Sequence, residues 1–369
     1  MSNRVLFIIS HQPNPRFIKQ INYFSQNGFD VSIIYFYRDY LANLNSNIDD
    51  NVDMYLLDKI ENGKYFERIG IYLKSLFKLK DLLKEIRPET VILTNTDILL
   101  LLIVNRIKKY THNIVMEISD LPSYTFGSSV FSKIQRSLDK IFLQKYISKM
   151  IYTSPKFYGF YYQHEFNGEW FVLENKPLST MLPPRVKKRE NKKIVIGIVG
   201  LLQYLKPYQA LLNMAKNRDD VEVHIYGKGT YQQEIEFYAD KYSNIKYFGV
   251  YDFFTDISAI YASLDMVYIS YDTTLGDTNI KLALPNKLYE SIYFKVPIIA
   301  TKDTYLAQRV TENQIGYVLE CCKEEEIATI ISQYRSDKDR FSSSFDKIEL
   351  DEYLANNDYG KLIKFIKGK

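Results

Sequence analysis

Cysteine is almost absent: the 369 residues hold two, and they are neighbours, Cys321 and Cys322. An adjacent pair makes neither a disulfide framework nor a zinc site, and a reducing cytoplasm suits it. Histidine numbers four, and His112, His164 and His224 suggest no metal set. No apolar run nears the roughly 20 residues that span a bilayer. Ile98–Val104 (ILLLLIV) is too short and reads as buried helix. The N-terminus, MSNRVLFIIS, runs straight into a strand pattern and lacks signal-peptide form. A net charge of only +4 is too little for a nucleic-acid binder.

What is present is globular: 46% hydrophobic, 25% charged, with 32 Tyr and 22 Phe as core material. The length suits two domains that each bury a core. Residues 1–185 carry 23 Lys/Arg against 18 Asp/Glu, while the remainder is nearly balanced, so the positive excess sits in the N-terminal half.

Arg4–Ser10 reads as a strand, Pro15–Asn27 as a helix ended by Gly28, and Asp30–Tyr37 as the next strand. That is a βαβ unit and predicts a parallel sheet. Further strands are expected at Thr90–Thr94, Asn113–Ile118, Met150–Thr153 and Trp170–Leu173, with helices near 64–87, 97–110 and 130–148. Two prolines and a charge run over 178–193 predict an interdomain linker, placed at 181–192. A second alternation then begins, with strands at Lys193–Val199, Val221–Tyr226, Ile245–Phe248 and Met266–Ile269. The expected domains are 1–180 and 193–349, and a helix over Leu350–Ile366 is expected to pack back on the first. Two Rossmann-like domains facing each other across a central cleft are the economical arrangement.

Asn279–Thr301 (NIKLALPNKLYESIYFKVPIIAT) is the most informative stretch. It reads as a loop, a helix opening at Pro285–Asn286 and a buried strand. Proline suits a first helical turn, Asn286 suits a cap, and the N–H groups there make a phosphate seat. Lys287 adds positive charge, and Glu290, one turn on, is placed for the two hydroxyls of a ribose. The segment looks like half of a nucleotide-sugar site. The acidic group Asp49, Asp50 and Asp53 reads as a solvated loop rather than a metal site.

In order, the Gly200–Lys206 loop, HIYGKG (224–229), YFGVYDF (247–253) and LPNKLYESIYFKVPIIAT (284–301) resemble the retaining family 4 group of GT-B glycosyltransferases. PRFIKQINYFSQNGFDVSII, EISDLPS and LENKP in the first half fit the same pattern. The resemblance implies a nucleotide-sugar donor held by the second domain, with no cofactor and no metal. On it, Glu290 matches the ribose carboxylate, Lys206 a lysine that neutralises the diphosphate, and Pro285, Asn286 and Lys287 the phosphate-binding helix start. Tyr247 and Tyr251 would face the base, Gly227 would admit the backbone, and Asn279 would help with the sugar. Asp120 and His11 are the catalytic candidates and Arg16 an acceptor-side one. The implied acceptor is a saccharide or lipid-linked glycan in bacterial surface-polysaccharide assembly, in the cytoplasm at the inner face of the membrane. Nucleic acid is not an expected partner.

The chain departs from the family at several points. The first of two glutamates eight positions apart is Leu282, Leu201 replaces an arginine, Lys295 replaces a glycine, and SHQPNP replaces a glycine-rich loop. These changes leave the donor sugar open. They also motivate two rivals, a non-catalytic GT-B partner subunit and a nucleotide-sugar epimerase. Residues 64–87, rich in Lys/Arg, with Phe66, Ile69, Leu73, Leu76, Phe77 and Leu83 near one face, are the expected contact with an anionic membrane. Ser132–Lys149 is a second basic stretch.

Overall fold

The computed structural model describes residues 3–38, 47–60 and 65–368. The chain divides into two compact units, one of Met1–Glu174 with Asn357–Lys369, the other of Asn175–Asn356.

In the first unit, apolar runs alternate with helices: β1 (Arg4–Ile9), α1 (Pro15–Gln26), β2 (Asp30–Tyr37), β3 (Asp53–Lys59), α2 (Tyr65–Ile86), β4 (Thr90–Leu93), α3 (Thr96–Val104), β5 (Asn113–Ile118), α4 (Val130–Tyr146), β6 (Lys149–Tyr152), α5 (Pro155–Phe160) and β7 (Glu169–Val172). The strands form one parallel sheet in the order β3-β2-β1-β4-β5-β6-β7. Val5–Ile9 are all buried, as a strand covered on both faces requires. Helix α1 starts where proline permits it, with the Asn14 side chain accepting from Phe17 N at 3.2 Å.

The second unit repeats the plan with β8 (Ile194–Val199), α6 (Leu205–Ala215), β9 (Val221–Tyr226), α7 (Gln232–Lys241), β10 (Ile245–Gly249), α8 (Phe253–Ala262), β11 (Met266–Ile269), α9 (Thr278–Leu282), α10 (Asn286–Phe294), β12 (Ile298–Thr301), α11 (Tyr305–Glu312), β13 (Gly316–Leu319), α12 (Glu324–Phe345) and α13 (Leu350–Tyr353). Its sheet is also parallel, in the order β10-β9-β8-β11-β12-β13. In both sheets the order reverses beside the first strand, and the carboxyl ends of the strands flanking that point open a crevice for ligands.

The structure departs from several expectations. Asp53 opens strand β3 at the sheet edge, whereas Asp49 and Asp50 lie in the expected loop before it. Residues 181–192 are no free connector: Ser258 Oγ donates to the Pro184 carbonyl at 2.6 Å, and Arg189 N donates to the Ala262 carbonyl at 2.9 Å. Backbone bonding holds that segment to the second unit, which a charge run cannot reveal. The expected loop at 279–283 contains α9, and the expected helix 350–366 is two helices. The second of them, α14 (Asn356–Lys367), lies on the first unit, where Asn113 Nδ2 donates to the Ile366 carbonyl at 3.1 Å and Phe365 stacks on Phe171. In α2, Leu83 is buried, Leu73 and Phe77 are exposed, and the side chains of Phe66 and Ile69 lie outside the described residues.

Candidate functional site

Helix α10 sets the geometry. Its N-cap is Pro285, with φ −75° and ψ 151° and no side-chain cap bond. Asn286 is therefore inside the helix, not its cap, and its Oδ1 accepts from Asn175 Nδ2 at 2.7 Å. The N–H groups of that first turn point along the axis away from the helix. Lys287 and Glu290, three apart, share a face that turns inward. Lys287 Nζ lies 3.0 and 3.1 Å from the two Glu290 oxygens and 3.3 Å from the Tyr251 hydroxyl. Glu290, 3% exposed, also accepts from the Tyr261 hydroxyl at 2.9 Å. Burial acts to lower the Lys287 pKa, but the Glu290 charge and the Tyr251 and Glu290 bonds outweigh it and hold it above the usual lysine value. Burial pushes the Tyr261 hydroxyl far up, and the Glu290 charge adds to that, so Tyr261 remains a donor. The carboxylate is thus oriented from both sides before any ligand arrives.

Glycines bring backbone to this pair. Gly200 follows β8 with φ +115°, and a Cβ there would lie 3.0 Å from Lys287 Cε. Gly227 follows β9 with φ +129°, and a Cβ there would lie 1.8 Å from the Gly200 carbonyl oxygen. Gly227 N donates to the Gly249 carbonyl at 2.6 Å, and the Tyr247 hydroxyl donates to the Gly227 carbonyl at 2.8 Å. The carboxyl ends of β8, β9 and β10 are therefore laced together beside Lys287. Only a residue without a side chain fits at Gly227, and the positive φ at Gly200 strains any other residue there. The chemistry offered is an ammonium, backbone donors and a fixed carboxylate, a set that takes phosphate oxygens and vicinal hydroxyls.

Other expected residues lie apart from this bonded set. Lys206 is exposed in the first turn of α6, where its charge helps hold Asp272 below the usual carboxylate range, after the Thr274 hydroxyl bond. Asn279 is in α9, its N–H donated to Asp277 Oδ1 at 2.9 Å. Leu282 closes that helix, and Lys295 sits at the C-cap of α10 with φ +56°, the conformation its expected glycine would relieve.

In the first unit, His11 follows β1, and its Nδ1 is 2.5 Å from the Gln12 carbonyl oxygen. A carbonyl only accepts, so Nδ1 carries the proton and Nε2 is left as the acceptor. Burial lowers the His11 pKa and Arg38 adds to that, against the Gln12 bond, so the ring is neutral at pH 7. Asp120 is exposed at the end of β5. Arg16 is buried in α1, 2.9 Å from Glu117 of β5 in an ionic contact not aligned as a hydrogen bond. Its charge faces a buried carboxylate in the interior of the first unit. Next to it, burial and the Arg16 charge lower the Lys19 pKa to about 7.

Several structural roles escaped sequence reasoning. Tyr261 sits in an apolar helix and carried no signal. Glu117 did: a carboxylate in the apolar strand NIVMEI needs a buried partner. Gln12, 1% exposed, exchanges two bonds with the Arg38 backbone at 2.6 and 3.0 Å and ties the loop after β1 to the end of β2. Asp139 of α4 accepts from Thr96 at 3.0 Å and from Tyr161 at 3.2 Å. Among the described residues no cluster of three or more His, Cys, Asp or Glu is placed to hold a metal ion.

Residues 183–358 match the family model described as Glycosyl transferases group 1. Succinoglycan biosynthesis protein ExoL of Rhizobium meliloti is 23% identical over 299 residues, 76% of this chain and 73% of that one. Sucrose-phosphate synthase from Thermosynechococcus elongatus superposes with a TM-score of 0.73 at 11% identity, covering 99% of this chain and 98% of that one. Anabaena Alr3699/HepE, solved with UDP, superposes at 0.70 and 12% identity over 99% and 100%. At these identities the structural likeness shows the fold, which is GT-B: two Rossmann-like α/β domains.

Proposed function

We propose that this glycosyltransferase of group 1 type moves a hexosyl group from a UDP-sugar to a saccharide acceptor, a lipid-linked glycan in surface-polysaccharide assembly, with retention at the anomeric carbon. The observation that carries the reading is the inward Lys287–Glu290 pair at the start of α10, under the Gly200 and Gly227 backbone. In this reading Glu290 takes the ribose hydroxyls. Lys287 and the first-turn N–H groups take the diphosphate, with Lys206 as a further cation. The bond from the anomeric carbon to the diphosphate oxygen breaks, and the electron pair leaves with UDP. An acceptor hydroxyl forms the new bond on the same face, and its proton goes to the departing phosphate oxygen. Fixed positive charge at the leaving group lowers the barrier where the charge develops. His11 Nε2 and Asp120 are assigned to the acceptor and the reacting sugar. The UDP bound by the Anabaena protein supports the base, and the succinoglycan role of the Rhizobium protein supports the polysaccharide setting.

The test is a thermal-shift panel of UDP, GDP, CDP and dTDP and their sugar conjugates, with and without EDTA, followed by an assay of UDP release. A ligand that binds the folded state raises the melting temperature by mass action. Stabilisation by UDP alone, insensitive to EDTA and lost in Glu290→Gln, is the expected result. No shift with any nucleotide from folded protein would overturn the reading.

A further inference from the structure

A parallel sheet of this kind is buried on both faces. The inner strands of the second unit obey that rule, since every residue of β8 and β11 is buried. The outer pair does not. Along β9, Val221, Val223 and Ile225 are buried while Glu222, His224 and Tyr226 are half-buried, and β10 sets the exposed Lys246 and Phe248 beside them. Lys246 stands opposite His224 in the register. The Tyr226 and Phe248 rings stack at 4.6 Å with 7° between their planes, and the His224 ring meets Phe248 in a T-shaped contact at 5.2 Å. Phe248 is 51% exposed, and Val250, just beyond the strand, 69%. The backing ring holds Phe248 in one orientation, so a ligand laid on it costs little side-chain freedom.

The charge beside these rings identifies the ligand. Glu222 has Lys246 Nζ at 2.6 Å and Lys193 Nζ at 3.8 Å, and both lysine side chains remain substantially exposed. Arg189, also exposed, is held by its backbone bond to Ala262, and its charge acts on both His224 and Tyr226. Three cations against one carboxylate leave a positive surplus. Burial lowers the His224 pKa, and Lys246 and Arg189 add to that against the Glu222 bond, so the ring is neutral at pH 7. Its Nε2 then donates to Glu222 at 3.1 Å, and Nδ1 is left a buried acceptor with no donor. A sugar ring lays its polarised C–H bonds on the negative face of an aromatic ring, and a carboxylate on that sugar meets lysine and arginine in charge-assisted bonds. A nucleic-acid strand needs successive stacking rings along a cationic groove, and on these two strands one ring, Phe248, is exposed, beside an acid. A second copy of this face would set cations against cations.

We propose that the open β9–β10 face of the second unit binds an anionic saccharide, with a sugar ring on Phe248 and its carboxylate held by Lys246 and Arg189. Side chains alternate along a strand, so Lys246 and Phe248 lie on the face opposite Tyr247, whose hydroxyl bonds to Gly227 in the donor set. The saccharide site and the donor site are thus different faces of the same strands. A second point of attachment keeps an acidic glycan on the enzyme through linked binding. The proposal deepens the saccharide-acceptor reading and rests on it only for the choice of a glycan as the biological ligand. Binding of the saccharide requires neither donor nor catalysis.

The test is calorimetric titration of the full chain with trigalacturonate, with its fully methyl-esterified form and with a short oligothymidylate, across a salt series. The expected result is that trigalacturonate binds roughly tenfold more tightly than the ester, which keeps the rings and loses the charge, and that its binding weakens with salt. Phe248→Ala and Lys246→Gln/Arg189→Gln should each lose roughly tenfold in affinity. The second variant keeps the ring stack and should melt like the wild type, so it decides the matter if Phe248→Ala is less stable. Phe237→Ser, at another exposed phenylalanine of the same unit, should bind as before. Absent trigalacturonate binding, equal binding of the ester, or unaffected Lys246/Arg189 variants would overturn the proposal. So would oligothymidylate binding that Phe248→Ala abolishes, or a wild-type dimer in light scattering that Phe248→Ala dissociates. UDP binding measured in parallel separates the two readings, because its absence with saccharide binding intact sinks only the donor site.

Discussion

Replacing Glu290 by Gln keeps the side-chain volume and removes one charge from a pair that is almost wholly buried. The Tyr261 hydroxyl still has an oxygen to donate to, but the Lys287 ammonium, 18% exposed at its side chain, loses its counter-charge. Breaking a buried pair by deleting one partner costs about 3–5 kcal/mol, and the retained amide oxygen puts this case near the lower end. For a domain of this size, ~3 kcal/mol corresponds to a fall in Tm of about 6–12 °C. The pH dependence is the sharper signature. In the wild type the folded Lys287 pKa is raised, so its contribution is complete below the unfolded lysine value near 10.4 and is lost as pH rises through the folded value. In the variant the Glu290 charge is gone and burial dominates, so the folded value falls below the unfolded one. The unfolded chain then binds more protons, and the variant recovers stability as pH rises toward about 10. Melts of both proteins from neutral pH to about pH 10 should show the gap closing. UDP binding by calorimetry, well below either melting temperature, should be lost. A gap under about 2 °C, or one constant with pH, would refute the buried-pair argument.

Gly227→Ala should prevent stable folding of the second unit or cost at least about 3 kcal/mol, since its Cβ would lie 1.8 Å from the Gly200 carbonyl oxygen at φ +129°; a chemical denaturation midpoint near wild type would contradict that geometry. Lys295→Gly should stabilise by about 0.5–1 kcal/mol, because relief of the left-handed C-cap outweighs the loss of the exposed Asp346 ion pair; a lower Tm would reverse that balance. Lys19→Met should raise the stability of the first unit at neutral pH by a few kcal/mol. The wild-type lysine, with its folded pKa lowered to about 7, costs most below that value and progressively less up to the unfolded value near 10.4, so the difference between the two melts should narrow as pH rises. A difference that widens would sink the assignment.

Much of the site was legible because it is local. Proline before Asn-Lys in a segment that ends in a β-branched run announces a helix start, and Lys287 and Glu290 share a face by spacing alone. Strand β3, DMYLLDK, was missed because its mixed exposure at a sheet edge imitates a polar loop. The burial of Arg16 was not legible because its partner, Glu117, is more than a hundred residues away, and no local pattern reports that a cation will be buried. Lys206 and Asn279 match a family pattern in sequence, while the structure bonds Glu290 to Tyr261, which reads in the chain as core.

The sequence by itself determined the alternation of strands and helices, the parallel sheets and the loop–helix–strand at 284–301. Each follows from periodicities and turn residues acting over a few positions. Tertiary structure alone decided which charges are spent in the interior, such as Arg16 against Glu117, and that Tyr261 meets Glu290. Those outcomes depend on burial, and burial is a property of how distant segments pack, where an unpaired charge or an uncovered apolar face costs kilocalories that no local window contains.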